Sequence, residues 1–249
     1  MATAAAACRW SVVIPAYNEE ARLPGCLREV VAYFDGRGEP YEVIVVDDGS
    51  SDRTPTEVAA IARQHPAVQI ERFNRNHGKG FAVRAGMVRA RGALRLMADA
   101  DGATPIAEVK RLEAALDRGA DLAVGSRSLR DQSVARQVRA HRQLVGNVFN
   151  LIVRALGVWG VTDTQCGFKL FRGPVAAELF GLLRTEGFGF DVELLLLAQR
   201  RGYRIVEVPV NWTDQPGSRV SVAREGPRML AQVIAARLRV GAGGARGRP

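Results

Sequence analysis

Apolar and polar positions fall in alternating blocks along the first half of the chain. Trp10 to Ile14 is a short apolar strand ending at Pro15, and Tyr41 to Val46 is a second, too apolar to leave one face in water. Such a strand is buried on both faces, as in a parallel sheet. Between them, Glu19 to Phe34 has the spacing of an amphipathic helix, stopped by Gly36 and Gly38. Asp52 caps a helix through about Gln64, with Pro66 after it. Val68 to Arg72, Ala93 to Ala98 and Ala120 to Val124 are further strands, separated by helices over 80–91 and 105–118. The second of these has Pro105 in its first turn and Gly119 past its end. This rhythm predicts an α/β fold: a Rossmann-like, mostly parallel, doubly wound sheet flanked by helices.

The second half is less regular. Helices are expected over 138–156, 174–183 and 191–201, with strands over 168–171 and 203–210. A last helix over 226–240 carries Arg228, Arg237 and Arg239 among apolar residues, and a flexible basic tail, GAGGARGRP, comes after it. One domain over 8–225, with 226–249 as a basic amphipathic helical extension and tail, is the simplest organisation.

Apolar residues make up 47% and charged residues 24% of the 249, which excludes disorder, collagen and coiled coil as the overall class. No apolar run approaches the ~18 residues that cross a bilayer, and MATAAAACRW lacks the basic start of a secretory signal. Cys8, Cys26 and Cys166 are far apart and odd in number, so a reducing, intracellular compartment is expected. Charge changes the picture more. The formal net charge is +9, with seven Arg against one Glu in 217–249 and six Arg against one Asp in 127–154. Clustering of that kind points to a polyanion, a phosphate-bearing ligand or an anionic membrane surface.

Ligands of open α/β sheets bind beyond the carboxyl ends of the strands. Three polar clusters fall at such ends: PAYNE (15–19), DDGSSD (47–52) and DADGAT (99–104). Each alone is an ordinary turn composition; three on one rim are not. Asp99 and Asp101, two residues apart after an apolar strand, suit one hard divalent cation shared with substrate phosphates. There is no P-loop, no GxGxxG after the first strand and no GxSxG, and His65, His77 and His141 lack metal-ligand spacing. A nucleic-acid-binding protein, the reading that basicity alone invites, would show basic and aromatic residues interleaved or a helix-turn-helix, and would leave the carboxylates unexplained.

The segments SVVIPAYNEE (11–20), VVDDGS (45–50), Lys79-Gly80 and MADADGAT (97–104) resemble the inverting family 2 glycosyltransferases of GT-A fold. GSR (125–127), DTQCGFKLF (163–171), FDVELL (190–195) and VPVNW (208–212) are similar to dolichyl-phosphate β-glucosyltransferases and their prokaryotic relatives. The resemblance runs from about Trp10 to Leu238. It implies that Pro15, Tyr17, Glu19 and Asp48 hold the base and ribose of a nucleotide sugar, with Val46 and Asp47 beside them. Asp99, Ala100 and Asp101 would bind a metal, Mg2+ or Mn2+, and the donor diphosphate, with Ala103 nearby. Arg127, Arg142 and Arg219 match basic positions that contact phosphate. Asp191 lies near the place where some relatives with hydroxyl acceptors keep a catalytic base, and an acceptor-site or structural role is an equal alternative. Asp163 and Gln165 either serve the site or cap a turn, and Lys79 either meets phosphate or caps a loop.

The activity so implied is inverting, metal-dependent transfer of a sugar, glucose from UDP-glucose, to a polyprenyl or dolichyl phosphate. Mannosyl transfer from GDP-mannose is the alternative within the class. Eukaryotic members carry an N-terminal membrane anchor that this sequence does not show. The expectation is therefore a prokaryotic-type protein, cytoplasmic and peripheral at the inner face of the membrane.

Overall fold

The computed structural model describes residues 8–129, 131, 134, 136–137, 158–215 and 222–242. In chain order these form β1 (Trp10–Ala16), α1 (Leu23–Arg37), β2 (Tyr41–Asp47), α2 (Thr54–Gln64), β3 (Val68–Arg72), α3 (Lys79–Arg89) and β4 (Leu94–Met97). A short 3-10 turn (Ile106–Glu108) leads into α4 (Val109–Asp117), followed by β5 (Leu122–Ser126), β6 (Arg136–Gln137), β7 (Lys169–Arg172) and α5 (Gly173–Leu182). The chain then runs through α6 (Phe190–Arg200), β8 (Ile205–Pro209), β9 (Trp212–Thr213) and α7 (Val222–Ala242).

Seven strands form one sheet in the order β3-β2-β1-β4-β7-β5-β8, and β6 pairs with β9 in a separate two-stranded ribbon. The large sheet is parallel except for β7, which runs antiparallel between β4 and β5. Alternation along the strands divides the core between two faces. Trp10, Val12 and Ile14 of β1 pack with α1, α2 and α4, whereas Val13 packs with α3, α5, α6 and α7. Both faces are covered, which is why β1 and β2 read as unbroken apolar runs.

The expected α/β architecture is the one observed, with local differences. β1 continues through Pro15 to Ala16. Proline is tolerated there because alternate residues bond to opposite neighbours. Val13 O accepts from Ala98 on the β4 side and Ala16 O accepts from Asp48 on the β2 side, so Pro15 faces the β4 side beyond the last paired residue of that strand, Met97. α1 starts at Leu23 rather than Glu19 and passes through Gly36; Gly38, left-handed at φ 66°, ends it. The 225/226 boundary falls inside α7, which contains Pro227 and buries Val233 and Ala236 against the domain. The terminal helix is therefore part of the fold it was expected to extend. The helix expected over 138–156 and the tail beyond 242 lie outside the described residues.

The insertion of β7 shapes the rim of the sheet. Lys169, its first residue, pairs with both Met97 of β4 and Val124 of β5. An antiparallel strand inserted among parallel ones starts where its neighbours end. The segment before it, 163–168, is thereby delivered to the carboxyl rim beside Asp99.

Candidate active site

The turns after β1, β2 and β4 meet as the sequence requires, and enclose a cleft of about 610 Å³. Pro15, Tyr17, Glu19 and Asp48 line it together with Asp99, Ala100 and Asp101. The first two turns are stitched together by Asn18, a non-glycine residue at φ 56°. Its Oδ1 accepts from the Ser51 and Asp52 N–H groups, and its own N–H donates to Ser50 Oγ. Asparagine tolerates that backbone region better than most residues.

Asp48 is 2% exposed, and its carboxylate accepts from the backbone N–H of His77 and Gly78, the latter at 2.7 Å. It fixes the loop that carries Lys79 as well as lining the cleft. Glu19 is paired with Arg22 at 2.5 Å, and Arg22 reaches to 3.9 Å from Asp101. Tyr17 stands 45% exposed at the mouth. Val46 is a correction: strand alternation turns its side chain with Ile44 into the core under α3, so it does not line the cleft. Asp47 is also buried, with Oδ1 accepting from Ser50 N–H.

Asp99 and Asp101 differ in environment. Lys79 Nζ lies 2.6 Å from Asp99 Oδ1. Burial pushes the Asp99 carboxyl up, but Lys79, Lys169 and Arg127 outweigh it and hold the group below its ordinary range. Asp101 is pushed up by burial and by the charge on Asp99, while its Oδ1 accepts from Ala103 N–H. Behind Asp99 stands Gly167, where a Cβ would fall 1.9 Å from Asp99 Oδ2. Only a residue without a side chain leaves that carboxylate its place. Among the described residues no third Asp, Glu, His or Cys joins the pair to make a protein-only cation site. Two hard oxygen ligands at the cleft fit a cation that takes its other ligands from a diphosphate.

Arg127 is not on the cleft. It lies across the Asp99–Asp101 pair, in a small recess shared with Ala103, Thr104, Gly167 and Trp212. Asp163 grips it with both oxygens at 2.8 Å, and its guanidinium lies 5.5 Å from the Trp212 ring centroid. Asp163 thus positions Arg127; burial opposes its charge, and Arg127 overcomes this and holds the carboxyl low. Of the roles left open for Asp191, the contacts fit the structural one. Asp191 is 2% exposed on α6 and lines neither recess, because Lys169 Nζ binds its Oδ1 at 2.6 Å and Cys166 O at 2.6 Å. Burial pushes the Asp191 carboxyl up, opposed by Lys169 and Lys79. Arg142 and Arg219 lie outside the described residues. Sequence reasoning missed Arg22, the loop at Glu186 to Phe188, and Arg228 and Gln232 of α7, all of which line the cleft. None carries a motif.

A mostly parallel sheet with a two-carboxylate turn at its rim and a nucleotide-sized cleft beside it defines a GT-A glycosyltransferase, and solved structures agree on the fold. Glucosyl-3-phosphoglycerate synthase from Mycobacterium tuberculosis, crystallised with uridine diphosphate, superposes at a TM-score of 0.69 over 96% of this chain and 83% of its own, at 23% identity. The family model for glycosyl transferase family 2 matches residues 11–180, and the chain belongs to that family. Dolichyl-phosphate β-glucosyltransferases are similar across most of its length. That of Dictyostelium discoideum is 36% identical over 92% of this chain and 74% of its own. Those of Drosophila melanogaster, at 41%, and Homo sapiens, at 40%, align over 85% and 84% of this chain and 69% of their own.

Proposed function

We propose that this glycosyltransferase moves glucose from UDP-glucose to the phosphate of a dolichyl or other polyprenyl phosphate, inverting the anomeric centre. The observation that carries the reading is the division of the site. A nucleotide-sized cleft lies on one side of Asp99 and Asp101, and a small recess that holds Arg127 on the other. The similarity to dolichyl-phosphate β-glucosyltransferases supports the choice of sugar and acceptor.

Base and ribose occupy the end at Pro15, Tyr17 and Asp48, and the diphosphate lies toward Lys79. Asp99 and Asp101 would hold Mg2+ or Mn2+, which when bound neutralises charge on the leaving diphosphate. Arg127, oriented by Asp163, receives the acceptor phosphate. An anionic phosphate oxygen attacks C1 of the sugar, the bond from C1 to the diphosphate oxygen breaks, and UDP departs with the electron pair. The nucleophile is already ionised, so no proton has to be removed, and the engagement of Asp191 with Lys169 costs the reaction nothing. Alignment of the two phosphates and fixed charge supply the acceleration.

The prenyl chain stays in the bilayer, so the site works at a membrane surface. No described helix is long and apolar enough to cross a membrane. The outer side of α7 instead exposes Ile234 and Leu238 next to Arg237, a pattern suited to lying on an anionic surface. The decisive experiment is a screen of UDP-glucose and GDP-mannose with a short polyprenyl phosphate, with and without Mg2+ or Mn2+. Glucosyl transfer abolished by chelator is expected. Preference for GDP-mannose, or full turnover in excess chelator, refutes the donor or the metal.

A further inference from the structure

The cleft has a wall that no motif announces. Gln232 of α7 lines it together with Gly187, Lys79 and Asp99. The Gln232 Oε1 accepts the Gly189 N–H at 2.9 Å, which fixes the two ends of the amide. Its Nε2 then lies over Gly187, where a Cβ would stand 2.3 Å away. No described residue accepts a hydrogen bond from that Nε2. An amide nitrogen at a cleft surface, with its oxygen already engaged, is a donor awaiting an acceptor.

The surroundings hold it at a definite depth. α7 is tied down by Arg239, which donates to Thr185 Oγ1 at 2.8 Å and to Glu193 at 3.2 Å. The loop beneath Gln232 is wedged against the start of α3. Phe81 N–H donates to Glu186 O, and a Cβ on Gly78 or Gly80 would lie 2.6 Å from Glu186 O or 2.4 Å from Thr185 O. The helix that begins there carries Lys79, whose ammonium lies on Asp99. Gln232 therefore lines the cleft above the loop that packs on Gly78 and Gly80, the residues on either side of Lys79.

We infer that Gln232 is a donor-binding residue, its Nε2–H group contacting an oxygen of the diphosphate. This rests on reading the cleft as a nucleotide-sugar site. It makes the C-terminal helix part of the catalytic apparatus, whatever else that helix touches. Gln232→Glu tests it cleanly: a carboxylate oxygen still accepts from Gly189 N–H, while the donor is replaced by a charged acceptor. In the full chain with Mn2+, calorimetry should show UDP affinity falling about tenfold or more, the range for a lost hydrogen bond to a charged group. Uridine affinity, followed by ligand-observed NMR, and the melting temperature should not change. UDP affinity equal to wild type overturns the assignment. So does an equal loss for uridine, which reduces Gln232 to a prop for the loop. Wild-type protein that binds no UDP at all refutes the donor reading and the assignment with it.

Discussion

Gly167→Ala perturbs the site at its most crowded point. The new Cβ would lie 1.9 Å from Asp99 Oδ2 and 2.2 Å from its Cγ, where an ordinary contact needs about 3.4 Å. The carboxylate must then retreat by about 1.5 Å, or β7 must shift. β7 is the costlier choice, since it is hydrogen-bonded on both sides to β4 and β5. Asp99 is 37% exposed at the side chain and has room to turn into the cleft. It would leave Lys79 in doing so. The backbone at 167 is not left-handed and accepts alanine, so the cost to stability should be that of overpacking alone, about 1–3 kcal/mol, and leave the protein folded. A displacement of that size in a positioning group costs roughly a hundredfold in rate. Turnover of UDP-glucose on a polyprenyl phosphate measures the loss, and Mn2+ affinity by electron paramagnetic resonance should weaken in parallel. A variant with wild-type turnover and Mn2+ affinity would show that Asp99 need not stand where it does.

Lys79→Met removes the cation that faces both Asp99 and the cleft; UDP affinity should drop by about tenfold with little change in melting temperature, and unchanged affinity refutes a role toward phosphate. Lys169→Met strands the buried Asp191 carboxylate and should cost about 3–5 kcal/mol in chemical denaturation, most of it recovered in the double variant with Asp191→Leu. A loss below about 1 kcal/mol would mean that Asp191 is neutral in the fold. The Asp163 carboxyl is held below its ordinary 3.8, so its contribution is complete above that pH and disappears as pH falls through the lower folded value. Melting temperature of wild type should therefore approach that of Asp163→Asn only below pH 3.8; a gap that closes at neutral pH refutes the pairing.

How much of this was legible depended on the range of the interaction. β1, β2 and the helix between them announce themselves because each apolar run answers to its own periodicity. The convergence of residues 15–19, 47–52 and 99–104 was equally legible, since parallel strands must end on one rim. Val46 was misread because a motif position does not say which face a strand residue presents; alternation decides it, and Val46 falls with Ile44. The choice between the roles open to Asp191 was not legible, because its partner, Lys169, is 22 residues away and meets it only through the insertion of β7. The role of α7 was invisible for the same reason. Gln232 gains meaning from Gly189, 43 residues earlier, and nothing local to Gln232 signals it.

Acidic residues lie at both ends of this sheet, and saturation separates their uses. At the amino end, Glu42 takes Ser11 Oγ–H, the Arg91 N–H and the Arg91 guanidinium, while Glu39 takes Trp10 Nε1–H and Arg37. Those carboxylates have little left to offer, and their bonds make them braces for the starts of β1 and β2. At the carboxyl end Asp163 is equally full, and it acts only by holding Arg127. Asp99 and Asp101 are the exceptions. Asp99 has one strong partner, Lys79, and Asp101 one backbone N–H and a distant Arg22, and both open onto the cleft. The folded protein holds negative charge there that its own cations only partly answer. A divalent ion with a diphosphate would bring the missing positive charge and carry its own anion toward Lys79, the charge balance on which the proposed nucleotide-sugar site rests.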